Sequence, residues 1–341
     1  MAPLRALNTM SFLLDTLPGM TLRLTEVPGM LSRMWQGDNV PGEEGPSSFR
    51  ASQMNLVLHF GLATTPQEAQ EIFDQAIEFA QVYPCRIIAL CPVKDAADSK
   101  AFLNAKLFSQ CYIGPSTRQM CCCEALMLAY PIHTPGFLEN QVMVWMENDL
   151  PIYHWLHRVP ARRIEEIYLP YLKLCTRVVY DSCVEGADYA KTPWPKPDMV
   201  MDLAYARLLP TRQSIGQFLS SYEPATLING LTHVECRYTL GAEGEAANLL
   251  HWQQKCLDHC EKSGEHCDDV AFVIKPLLGD TANELEVEWQ YEDGKKSFLW
   301  THSKVCDATM IKADFGKGEV DLPQHVKPLL PVKELAEALF F

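Results

Sequence analysis

The stretch Met54–Cys91, MNLVLHFGLATTPQEAQEIFDQAIEFAQVYPCRIIALC, decides the fold. Met54–Phe60 is a continuous apolar run of strand length bounded by Gly61, which predicts a buried strand. Thr64 or Thr65 then caps a helix, with Pro66 near its first turn and Glu68 inside that turn. Ala69, Ile72, Phe73, Ala76 and Phe79 recur at helical spacing, so the helix runs to about Val82 with one face toward a core. Pro84 ends it. Cys85–Cys91 is a second apolar run. Strand, helix and strand in this order predict a parallel, right-handed crossover unit.

The alternation continues downstream. Leu107–Ile113 and Met120–Ala129 read as strands and Gly136 to about Asn148 as a helix. Leu150–Leu156 reads as a strand, Ala161–Leu174 as a helix and Arg177–Asp181 as a strand. Lys191–Pro197 (KTPWPKP) holds three prolines and reads as a stiff linker. Beyond it, Met199–Leu208 and Thr211–Tyr222 read as helices interrupted at Pro210, and Leu227–Leu240 is strand-rich. Glu245–Glu261 reads as a helix. Val270–Ile274, Leu285–Tyr291, Ser297–His302 and Thr309–Asp314 alternate like an antiparallel meander, with Gly294 in a hairpin turn. Pro331–Phe340 closes the chain as a short helix.

The fold class expected is therefore α/β: an N-terminal, mostly parallel sheet flanked by helices, followed by an α+β domain with an antiparallel meander. Residues 1–50 read as an N-terminal arm and linker, with DNVPGEEGPSS at Asp38–Ser48 supplying the linker. The α/β domain is set at 51–190 and the α+β domain at 198–341.

Composition narrows the function. The 341 residues carry 29 Lys+Arg against 43 Asp+Glu, a formal net charge of −14. Such a surface repels polyanions and argues against nucleic acid or an anionic membrane as partner. No apolar run reaches the roughly 18 residues of a membrane span. The 13 cysteines are odd in number, so disulfides cannot pair them all, and irregularly spaced, which reads as mostly buried thiols in a reducing cytoplasm. Charge is also segregated. Residues 241–300 hold 13 acids against five Lys and no Arg, while Arg158, Arg162, Arg163, Lys173 and Arg177 face only Glu165 and Glu166 in a basic island.

Motifs for catalysis are sparse. Neither the G-x-G-x-x-G nor the G-x-x-x-x-G-K-[ST] phosphate loop is present, and no cofactor is expected. Ser182 follows Asp181 at a strand end, with His154 and His157 near another, but no G-x-S-x-G elbow accompanies it. His251, Cys256, His259, Cys260, His266 and Cys267 form the densest metal-type cluster, yet their spacing does not make two zinc knuckles, and no metal is expected. Cys256, Cys260 and Cys267 are the redox candidates. Cys121–Cys123 lies in a strand and reads as core packing.

Several short segments follow one another along the chain. They are Met54-Asn55-Leu56-Val57, Tyr83-Pro84-Cys85-Arg86-Ile87-Ile88, Asn148-Asp149-Leu150-Pro151 with Trp155, Val178-Val179-Tyr180-Asp181-Ser182, and Asp202-Leu203 through Arg207-Leu208 with Pro210 and Arg212. Together they resemble the glucose-6-phosphate dehydrogenase assembly protein family, OpcA. The resemblance spans about residues 50–220 and continues more weakly to about 315. It implies a non-catalytic, cytoplasmic assembly factor and allosteric activator of glucose-6-phosphate dehydrogenase, which supports the oxidative pentose phosphate pathway. The partner- or ligand-binding candidates are Arg86, Asp149, Trp155, Arg158, Arg162, Arg163, Asp181, Ser182, Arg207 and Arg212. Each motif residue also has a structural reading: Arg86 pairs at a strand start, Asp149 shapes a turn, and Trp155 fills a core or anchors an interface. The alternative function is a sugar-phosphate-binding sensor or enzyme that uses the strand ends of the α/β domain.

Overall fold

A computed structural model describes residues 13–35, 52–94, 104–113, 120–132, 135–147, 149–185, 187–261, 270–278, 282–303, 305 and 308–341. The Asp38–Ser48 linker, Asn148, His266 and Cys267 lie outside the described residues. Two compact units emerge. The first comprises Met1–Tyr180, Asp188–Met201 and Leu339–Phe341; the second comprises Asp181–Ala187 and Asp202–Ala338. The chain thus divides at several points rather than at one linker.

The first unit is built on an eight-stranded sheet of order β1-β4-β5-β3-β2-β6-β7-β8. Its centre is β2 (Met54–Phe60) and β3 (Cys85–Val93), paired in parallel. Every residue of both strands is buried, as expected of strands covered on both faces. β5 (Met120–Pro131) lies parallel to β3, β6 (Ile152–His157) parallel to β2, and β7 (Arg177–Tyr180) parallel to β6. The β4 strand (Asn104–Ile113) runs antiparallel to β5, and β1 (Met20–Arg23) antiparallel to β4. Part of the segment read as an arm is therefore an edge strand, with Leu22 buried. Lys106 of β4 ties the residues before it in place, donating from Nζ to Leu17 O (2.7 Å) and Asp15 O (3.2 Å). β8 is Val200–Asp202.

The Pro66–Val82 helix starts on a reciprocal cap. Glu68 N donates to Thr65 Oγ1 (3.2 Å), and Thr65 N donates to Glu68 Oε2 (2.8 Å). Its apolar face, from Ala69 to Ala80, is buried. Ile88, Leu90, Leu126, Leu128, Trp145 and Leu156 share one core.

The second unit carries a six-stranded sheet of order β10-β9-β11-β12-β13-β14. β11 (Asn283–Tyr291), β12 (Ser297–Ser303), β13 (Ala308–Asp314) and β14 (Val320–Gln324) form the antiparallel meander. β11 also pairs antiparallel with β9 (Leu231–Tyr238). Gly294 takes φ 62° in the β11–β12 turn, a left-handed value that glycine adopts without steric cost. Val234, Cys236, Leu249, Trp289, Phe298 and Trp300 belong to its core.

Four local readings are corrected. β10 (Ala271–Pro276) is parallel to β9, not a meander strand, because the Glu243–Glu261 helix carries the chain across between them. Pro210 sits in the first turn of the Leu209–Leu219 helix, where its missing N–H costs nothing, so it starts that helix rather than interrupting one. Val200–Asp202 is strand before the Leu203–Arg207 helix, since Asp202 caps that helix by accepting from Ala204 N (2.9 Å). Pro224–Ile228 is a helical turn ahead of β9, again with Pro in its first turn. Among the described residues no helix is long and apolar enough to cross a membrane.

Candidate functional site

The carboxyl ends of β2, β3, β5 and β6 surround a cavity of about 510 Å³. This volume lies in the range of small-molecule sites, and parallel sheets bind ligands at this edge. Phe60, Leu62, Pro92, Ile132 and Val159 make most of the wall apolar. Its polar groups are His59, Tyr130, Arg163 and Tyr168, with exposed Lys94.

These groups come from alternation on buried strands and from one irregular helical turn. His59 and His154 lie on neighbouring parallel strands, and His59 Nδ1 and His154 Nε2 are 3.2 Å apart. His59 Nε2 meets the Tyr130 hydroxyl at 2.7 Å, which meets the Tyr168 hydroxyl at 3.1 Å. Burial, aided by the Arg163 charge, brings His59 down to about 3. Burial first, then His59, also lowers His154, while burial raises the Tyr130 phenol. At pH 7 His154, His59 and Tyr130 are therefore uncharged. Arg163 and Tyr168 flank a π-helical turn, Ile164–Tyr168, in which Leu169 N donates to Ile164 O. A π turn closes i→i+5, so residues five apart stack as residues four apart do in an α-helix. Both side chains reach the cavity for that reason.

Gly61 fixes the floor. A Cβ there would lie 1.6 Å from Arg158 O and 2.8 Å from Val159 N, both backbone. Gly61 N donates to His157 O at 2.7 Å, so the two strand-end segments are locked together. Gly61→Ala is expected to cost about 3 kcal/mol, the upper end of overpacking penalties, because main chain must move. The urea midpoint should fall at constant slope; an unmoved midpoint would refute the close packing.

The sequence-predicted residues separate into several environments. Arg158, at φ 55°, is engaged by Glu68. Its Nε donates to Glu68 Oε1 (2.9 Å) and Oε2 (3.1 Å), and Nη2 adds a third bond. That fork holds the Glu68 carboxyl down at about 2. Arg162 is 84% exposed and pairs with Glu166 one turn on. Arg163 alone of the three lines the cavity. Arg86 is buried, pairing with Glu124 and Glu147 and donating to Trp145 O (2.8 Å). Asn55 braces the same corner, donating to Glu147 O (3.1 Å) and accepting from Glu147 N (2.8 Å). Asp149 is exposed at φ 65° in the following turn, and Trp155 is 6% exposed in the sheet.

In the second unit, two motif segments meet. Arg207 binds Asp181, Glu245 and Glu334, the last at 3.0 Å. Ser182 N donates to Asp202 Oδ1 (3.0 Å), and Asn248 Nδ2 donates to Asp202 Oδ2 (2.6 Å) and Ser182 Oγ (3.3 Å). Cys183 Sγ donates to Glu245. Gly244 makes room, since a Cβ there would lie 2.3 Å from Ser182 Oγ. Ser182 therefore sits in an amide–carboxylate network, and it is not among the cavity-lining residues. His154, the histidine noted near another strand end, is engaged with His59 in the first unit. Arg212 stacks on Tyr205, 3.7 Å from the ring centroid.

Cys256 and Cys260 are free thiols on the Glu243–Glu261 helix, and burial raises the Cys256 thiol. A raised thiol is a poor nucleophile, which weakens a thiol-exchange role. Cys123 is buried, and Cys111 is disulfide-bonded. Among the described residues no group of three or more His, Cys, Asp or Glu is placed to hold a metal. His59, Tyr130 and Tyr168 escaped sequence reasoning because strand and helix residues at core positions carry no motif.

Residues 76–192 match a family model described as glucose-6-phosphate dehydrogenase subunit N-terminal domain. No curated protein matches the chain. Among solved structures, KijD10, a 3-ketoreductase from Actinomadura kijaniata in complex with NADP and TDP-benzene, is similar at 8% identity and TM-score 0.40, over 83% of this chain and 88% of that one. An aldose-aldose oxidoreductase from Caulobacter crescentus complexed with glycerol is similar at 9% identity and TM-score 0.35, over 84% and 87%. At these identities and TM-scores the likenesses carry no argument about what this chain does.

Proposed function

From membership of the OpcA family, carried by residues 76–192, we propose that this protein is a non-catalytic assembly factor and allosteric activator of glucose-6-phosphate dehydrogenase. It acts in the cytoplasm and supports the oxidative pentose phosphate pathway. The family match is the observation that carries this reading. Two further features support it. The net charge of −14 disfavours nucleic acid and anionic membranes as partners. Ser182, the hydroxyl that the sequence singles out, is engaged by the Asn248 amide and the Asp202 carboxylate, while His154 is engaged by His59.

An activator works by binding one state of its target more tightly than another. The purified protein mixed with its cognate dehydrogenase should co-elute in size exclusion, and the enzyme's kcat or KM should change. Separate elution with unchanged kinetics sinks the proposal.

A further inference from the structure

The strand-end cavity holds an electrostatic imbalance. Arg163 is half-buried; its Nη2 donates to Ile132 O, but its Nε is buried without a hydrogen-bond partner. No carboxylate pairs with it among the described residues. A guanidinium in such a place is costly unless an anion joins it. The wall around it is mostly apolar, so any occupant needs an apolar body as well as a charge.

The hydrogen-bonded chain behind the cavity points the same way. A neutral imidazole has one donor and one acceptor nitrogen, so the chain His154–His59–Tyr130–Tyr168 has two polarities. His154 Nδ1 is buried with no partner. One polarity leaves a proton on that nitrogen, and an orphaned buried N–H is the rarer outcome. The other leaves it a bare lone pair. His154 then donates to His59, His59 to Tyr130, and Tyr130 to Tyr168. The Tyr168 hydroxyl accepts from Tyr130 and keeps its own proton for the cavity, where no protein acceptor meets it among the described residues. The π turn places this donor on the same face as Arg163.

We infer that the cavity is a binding site for a small molecule bearing a phosphate or carboxylate on an apolar body, with Arg163 and the Tyr168 hydroxyl as its donors. The inference is independent of the dehydrogenase partnership, because it concerns the protein alone. Phosphate and carboxylate offer the same acceptor chemistry, and only binding data separate them.

The test is isothermal titration of the full chain with phenyl phosphate, benzoate, benzyl alcohol and inorganic phosphate. Phenyl phosphate or benzoate should bind at least about tenfold more tightly than benzyl alcohol, and the tighter of the two assigns the head group. Inorganic phosphate should bind more weakly than phenyl phosphate, since it leaves the apolar wall unfilled. Tyr168→Phe keeps the ring and removes the donor. It should weaken the anionic probe about tenfold or more while leaving benzyl alcohol unchanged. If Tyr168→Phe does not fold, Arg163→Gln serves in its place with the same expectation. No binding by either anionic probe overturns the inference. So does equal binding of benzyl alcohol, tighter binding of inorganic phosphate than of phenyl phosphate, or a variant that binds the anion as the parent does.

Discussion

Arg207→Met should destabilise the second unit by about 3–5 kcal/mol at neutral pH. One guanidinium faces three carboxylates, Asp181, Glu245 and Glu334, and its side chain is only 19% exposed. Methionine keeps much of the volume but leaves those acids facing one another. The loss should appear as faster amide exchange in the Glu243–Glu261 and Leu209–Leu219 helices, both in that unit. Protection unchanged in both would show that Arg207 is not needed for the fold.

The same cluster gives the loss a pH dependence. Burial pushes the Glu334 carboxyl up to about 7, with Arg207 pulling against it. An acid raised in the folded state favours folding fully below its ordinary range, near 4.5, and that contribution is lost as pH rises through about 7. Without Arg207 the opposing pull is gone, so the folded state holds the proton still more tightly. Arg207→Met should therefore cost less at pH 5, where Glu334 is protonated, than at pH 8. Glu334→Gln should flatten the parent's own decline between pH 5 and pH 8. Equal destabilisation at both pH values would remove Glu334 from the account.

How much of this was legible depends on the distance over which each feature is encoded. The β2–helix–β3 unit could be read because apolar runs, a Thr65 cap and Pro84 are local signals, and Pro331–Phe340 forms as a helix over the expected residues. β1 was not legible, since Met20–Arg23 is a strand only by pairing with β4, more than 80 positions away. Asp181 and Arg207 could be picked out as motif residues, but nothing in their order shows that they bind each other or that Glu245 joins Asp181 on the same guanidinium. Arg158 and Arg163 look alike in sequence. Glu68 engages one, and a π turn, which has no residue code, turns the other into the cavity. His59 and His154 look like two isolated strand histidines until parallel register brings their rings together.

Arg86→Met should cost the first unit a similar amount, about 3–5 kcal/mol, for a different reason. Arg86 and Glu124 are register partners on β3 and β5, with side chains 8% and 2% exposed. Removing the cation leaves the Glu124 carboxylate buried beside a methionine, and it also strips the Trp145 carbonyl of its donor. Arg86 is at once a motif residue and a candidate for partner binding, so loss of the proposed dehydrogenase binding in the single variant would not separate the two roles. The double variant Arg86→Met/Glu124→Leu does. Replacing a buried ion pair by apolar groups of similar volume is often neutral or stabilising, so the urea midpoint should recover most of the loss. If Arg86 only holds β3, β5 and the end of the Pro135–Trp145 helix together, the double variant should match the parent in the proposed co-elution with the dehydrogenase. A double variant that refolds fully but no longer binds would assign Arg86 to the interface. A double variant as unstable as the single one would mean that the cost lies in Glu147 or the Trp145 carbonyl rather than in the Glu124 charge.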